Sequence, residues 1–178
     1  MQETTEQYTA RISGYVAGKN HLKVLQESSR RIERALKGKP TSQLTKTPAG
    51  KWSIGEILAH LAESEIVIAF RLRLVLGSNG TQVQAFDQNK WQENAGYLKK
   101  DPRKSFELFR NLRETNVALL KSLKPEQWDC FGIHQERGRE NITRMVELYA
   151  GHDVNHVRQI ESISRTYGRG EKGKRRKD

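Results

Sequence analysis

Apolar residues recur along most of this chain at intervals of three and four, the spacing of helices that each bury one face, and no stretch alternates long enough to read as a strand. Leu22, Leu25, Ile32 and Leu36 line a helix that Gly38 and Pro40 terminate, after a shorter amphipathic piece through Tyr8, Ile12, Tyr15 and Val16. The second long helix has the most sharply marked start. Ser53 caps it, Glu56 completes a capping box, and Trp52 faces Ile57 as a hydrophobic staple. Leu58, Leu61, Ile68, Leu72 and Leu76 carry it to Gly77-Ser78-Asn79-Gly80. A third helix starts at Asp101-Pro102, an N-cap followed by proline at the first helical position, and buries Leu108, Phe109, Leu112, Leu119 and Leu123 before Lys124-Pro125. After a loop holding Trp128, Phe131 and His134, a fourth helix spans residues 141–166, with Ile142, Met145, Tyr149, His152, His156, Ile160 and Ile163 in one stripe. Residues 78–101, with a short helical turn around Gln88–Asn94, are too long for a tight turn and read as a crossover that sets the third helix parallel to the second. The pattern predicts an all-α bundle.

Three positions on these apolar faces hold histidine. His152 and His156 are four residues apart and project from the same side of the fourth helix, and His60 lies on the inner side of the second. Brought together, they form a three-nitrogen site with a position open to water or substrate, the arrangement a catalytic divalent ion needs. Buried without an ion, each unpaired ring nitrogen costs roughly 1–3 kcal/mol. The competing reading is a set of hydrogen-bonded core histidines. Glu65, Asp153 and Asn155 are the polar neighbours in sequence that could orient the rings. His21, and His134 in a polar loop, read as ordinary exposed or hydrogen-bonded histidines. Glu56 lies one turn before His60 but is explained by the cap, and the His-Glu-x-x-His pattern of zinc proteases is missing.

Composition narrows the field further. At 178 residues the chain reads as one domain over residues 1–166, large enough to bury a core without disulfides, followed by a basic, disordered tail over 167–178. The net charge is +11, yet residues 165–178 hold seven Lys/Arg against two acids and supply +5 of it. The rest is scattered over helical faces among acids, so no specific nucleic-acid partner is expected. No run reads as a transmembrane span or secretory signal, and a single cysteine, Cys130, suits a reducing cytoplasm. No membrane partner is expected.

Three segments in order, Gly50-Lys-Trp-Ser-Ile-Gly-Glu-Ile-Leu-Ala-His60-Leu-Ala-Glu, Ala85-Phe-Asp-Gln-Asn-Lys-Trp91 and Ala150-Gly-His-Asp-Val-Asn-His156-Val-Arg-Gln-Ile160, resemble the DinB-like superfamily of bacterial four-helix-bundle proteins. The resemblance covers most of residues 40–163. It implies an up-down-down-up bundle with a long connection between helices two and three, and a divalent metal, zinc or nickel, held by His60, His152 and His156. It also implies that Asp87 and Gln88 come close to the site; the alternative is that they anchor the crossover loop. Asn155 departs from the family, where many relatives carry a further histidine.

The leading reading is a metal-dependent enzyme in which the ion activates a bound thiol or water toward a small-molecule substrate. By resemblance this is S-transfer with a low-molecular-weight thiol, or hydrolysis of a small ester or amide. The competing reading is a non-catalytic, stress-related or structural bundle that pairs as a homodimer through its helix faces.

Overall fold

The structure, a computed structural model, describes residues 3–48 and 50–174, with side chains to Tyr167. Four long helices build the bundle: α2 (His21–Leu36), α4 (Ile54–Gly77), α6 (Pro102–Ser122) and α7 (Ile142–Lys174). Three shorter ones, α1 (Thr5–Gly14), α3 (Thr41–Leu44) and α5 (Gln88–Asn94), decorate it. The helix starts follow from local sequence. Glu56 N donates to Ser53 Oγ while Ser53 N donates to Glu56 Oε2, closing the box at the head of α4. Asp101 accepts from Arg103 N and Lys104 N at the head of α6, with Pro102 at the first helical position.

Two parallel pairs stand antiparallel to each other. Arg31 and Ala35 of α2 meet Glu161 and Ser164 of α7, rising together. Glu65 and Arg73 of α4 meet Arg113 and Asn116 of α6, also rising together. Across the pairs the order inverts, because Arg113 donates to the Leu25 carbonyl while Leu36 and Phe106 share a groove at the other end. This is the up-down-down-up bundle, and the crossover between α4 and α6 makes it possible.

The interior is two apolar clusters separated by a polar layer. Toward one end Leu25, Leu72, Val117, Ile142 and Val146 pack together; toward the other, Ile32, Ile57, Leu58, Phe109 and Ile160 do, with Trp52 against them. Between them Ser28, Glu65, Arg113, Asn116 and Asp153, one or two from each long helix, are all buried. α1 lies across α7 at Gly151, where a Cβ would come within 2.2 Å of the Ile12 carbonyl oxygen. Only glycine permits that approach.

The expectation of no strands fails locally. A three-stranded sheet joins β1 (Thr81–Val83), β2 (Phe131–His134) and β3 (Gly138–Asn141), with β1 parallel to β2 and β2 antiparallel to β3. Strands of three or four residues are too short for alternation to register, and their pairing is decided by the crossover meeting the α6–α7 connection in space. His134 is therefore a buried strand residue and not a loop residue. The fourth helix also passes its expected end at Thr166 and stays helical through Lys174. Of the expected basic tail, residues 175–178 lie outside the described residues. Among the described residues no helix is long and apolar enough to cross a membrane.

Candidate metal centre

His60 lies two turns into α4, and His152 and His156 on successive turns of α7, so the antiparallel packing of these helices brings the three rings together. His60 Nε2 and His152 Nε2 are 2.9 Å apart. Ring centroids lie 4.4 Å apart for His152 and His156 and 4.9 Å for His60 and His156. One nitrogen from each ring falls within 4.8 Å of the others. Trp52, the residue before the Ser53 cap, sets its ring edge-on to His60 at 5.3 Å, and Tyr149 stands 6.2 Å from His152. His60 and His156 are buried and His152 half-buried.

Burial holds all three rings neutral. It pulls His60 well below the usual imidazole range, aided by repulsion from His156. It does the same to His152, with His156, His60 and Arg113 adding repulsion. His156 is lowered to about 4, again by burial, with Gln159 and Asp153 opposing the shift. Neutral imidazole is the form that coordinates a metal.

The nitrogens cannot all be satisfied by each other. If His152 Nε2 donates to His60, its Nδ1 becomes a buried lone pair with no donor; if it accepts, Nδ1 is a buried N–H with no acceptor. His152 Nδ1 has no hydrogen-bond partner in either case. His156 is different, because Gln159 Oε1 lies 2.8 Å from Nδ1 and, accepting from Nδ1–H, leaves the Nε2 lone pair free. Three neutral nitrogen donors within this span suit a divalent ion of the zinc or nickel kind. The residues fit such an ion.

The acidic and amide neighbours in sequence do not partner the rings. Glu65 and Asp153 both grip Arg113: Arg113 Nη2 donates to Glu65 Oε1 at 2.6 Å and to Asp153 Oδ1 at 3.0 Å. Burial lowers the Arg113 guanidinium, but the two carboxylates outweigh it and raise it above its ordinary value. Asn155 accepts instead from Arg11 of α1 at 3.0 Å. Glu56, beyond its cap, accepts from Gln92 at 3.0 Å, which ties α5 to α4. Gln159 escaped the sequence reading, although its place three residues after His156 put it within reach along the helix.

Two clefts lead to the histidines. One, about 610 Å³, has His60 and His152 on its wall with Ser64 and Arg71 of α4, Asp87 and Gln88. The other, about 620 Å³, reaches His156 past Trp52, Arg158 and Gln159. Tyr8 of α1 and Gln88 and Asn89 of α5 border both. The structure thus brings Asp87 and Gln88 to the cleft, and it also gives Asp87 a local task, since its Oδ1 accepts from Asn89 N and Lys90 N at the head of α5. His21 lies outside this group. His134 sits near Arg71, its Nε2 3.4 Å from Arg71 Nη2, and is lowered to about 4 by burial and by Arg137 and Arg71.

The sequence profile of the DinB superfamily matches residues 25–160. The chain is 28% identical over 150 residues to a Bacillus subtilis protein named "Putative metal-dependent hydrolase YfiT", covering 83% of this chain and 84% of that one. A similarly named protein of Oceanobacillus iheyensis, OB0413, is 28% identical over 141 residues, covering 79% and 81%. Among solved structures, that of YfiT superposes with a TM-score of 0.76 at 24% identity, over 94% of this chain and 91% of YfiT. A mycothiol-dependent maleylpyruvate isomerase superposes with a TM-score of 0.63 at 12% identity, over 77% and 57%. Both share the fold.

Proposed function

Because the chain belongs to the DinB superfamily and gathers three neutral imidazoles between two open clefts, we propose that it is a metal-dependent enzyme acting on a small molecule, with His60, His152 and His156 holding the ion. The observation that carries this is the cluster itself: three ring nitrogens within 4.8 Å of one another, with one buried nitrogen that no protein group satisfies. A divalent ion, zinc or nickel, supplies Lewis acidity that lowers the pKa of a thiol or water bound to it. The chain does the rest. Trp52 packs edge-on against His60, which is buried. Gln159 fixes the His156 tautomer that leaves Nε2 free. Asp87 holds the head of α5 in place, so that Gln88 borders the cleft and can orient a bound molecule through its amide.

A thiol is the nucleophile proposed first, in an S-transfer to a small electrophile; the name of the isomerase that shares the fold points the same way. Hydrolysis is the second reading, favoured by the names of YfiT and OB0413. Elemental mass spectrometry on tag-free protein tests the premise. Near-stoichiometric zinc or nickel is expected in the wild type and loss of it in His156→Ala. Protein that takes up no ion after incubation with zinc, nickel and manganese refutes it. Thiol consumption from a panel of electrophiles, compared with release of product in thiol-free buffer, separates transfer from hydrolysis.

A further inference from the structure

Three turns along α4 from His60, on the wall of the same cleft, Arg71 is 7% exposed. Its Nη2 donates to the Gln84 carbonyl at 2.5 Å and lies 3.4 Å from His134 Nε2, its guanidinium lies 5.7 Å from the Phe86 ring, and Tyr149 lines the cleft with it. None of these partners is an anion. Among the described residues no carboxylate lies within ion-pair distance of Arg71. The acids around it are engaged elsewhere or face solvent: Glu3 pairs with Arg11, Asp87 caps α5, Glu140 pairs with Arg137, and Glu136 is exposed. Arg113, more deeply buried, holds two carboxylates. A buried guanidinium with no carboxylate in contact, on the wall of an open cleft, offers planar N–H donors that match a carboxylate.

We infer that the cleft takes small molecules bearing a carboxylate, with the acid group docked on Arg71 and the reactive atom at the three histidines. This rests on the cleft being the substrate site, as proposed above. The two ends of the cleft are apart, since Arg71 lies three turns along α4 from His60 and the Tyr149 ring, on the same wall, stands 6.2 Å from that of His152. The acid and the reactive atom are therefore separated, and a molecule whose thiol and acid are adjacent cannot reach both.

The test uses tag-free protein reconstituted with Co²⁺ and ω-mercapto acids of three, six and eight carbons beside their amides, with the thiolate-to-cobalt absorption band as readout. One of the longer acids is expected to bind roughly ten- to a hundredfold more tightly than its amide. That difference collapses in Arg71→Gln, with the amide unchanged, and partly returns in Arg71→Lys. Acid and amide binding equally to the wild type at every length overturns the inference, and this comparison does not depend on any variant folding. If no probe gives the band, the thiol reading fails separately, and calorimetry with adipate against adipamide decides the point. Tighter adipate binding that Arg71→Gln removes supports the anion site; equal binding overturns it.

Discussion

Two polar groups lie inside the same bundle, and they are built on opposite plans. In the Arg113 layer every charge has its complement: one guanidinium contacts Glu65, Asp153 and the Leu25 carbonyl, and Asn116 satisfies the other Glu65 oxygen. In the histidine cluster, barely a helix turn away along α7, the rings crowd together and one buried nitrogen has no partner. The first arrangement is complete as it stands and holds the four long helices in one register. The second is complete only with something the polypeptide does not supply. Polarity and burial alone therefore say little about function; what separates a structural polar cluster from a working one is whether the chain satisfies it.

The comparison is open to experiment. Arg113→Met strands two buried carboxylates, and urea unfolding should show a loss of about 3–5 kcal/mol; a loss under about 1 kcal/mol would mean the layer is not the closed unit described. For the histidines the proposed ion reverses the order, since it and not the protein would complete them. Zinc at a hundred times its Kd should stabilise the wild type by about 2.7 kcal/mol in a thermal or urea melt. His156→Ala should abolish that gain while leaving the metal-free protein close to wild-type stability. Removing the one hydrogen bond that orients a ring, as in Gln159→Leu, should weaken metal affinity roughly 10- to 100-fold in a competition titration with a chelator. An unchanged affinity would show that His156 needs no such support.

The smallest effect per group concerns pH. The histidines have depressed pKa values in the folded chain, so on acidification the unfolded state takes up protons first, below about 6.5, and stability falls as pH falls toward the folded values, about 4 for His156. Between pH 7 and 5.5 the metal-free protein should lose about 1 kcal/mol for each such ring. Stability that is flat over that range would mean that the rings are not buried in neutral form.

The long helices were legible because each carries its own instructions. Ser53, Glu56, Asp101 and Pro102 act within a single turn, and apolar periodicity is a local property of the chain. The crossover was legible from its length, and with it the parallel setting of α4 and α6. The three histidines stood out because they interrupt apolar stripes. The short strands, and with them the burial of His134, were not visible, since β1 and β2 are some fifty residues apart and too short to show a period. The same holds for the partners of the rings: Glu65 and Asp153 lie beside His60 and His152 in sequence, but helix packing turns them toward Arg113 and leaves Gln159 to orient His156.

By itself, then, the sequence determined which segments form the long helices, where they begin, and that His60, His152 and His156 interrupt apolar helical stripes, because those properties depend on neighbours three or four residues away. The tertiary structure alone decided that the imidazoles meet, which charges are neutralised, and that Arg71 is buried beside the cleft with no carboxylate in contact. Those depend on how helices from opposite ends of the chain pack against one another, and no local pattern records that.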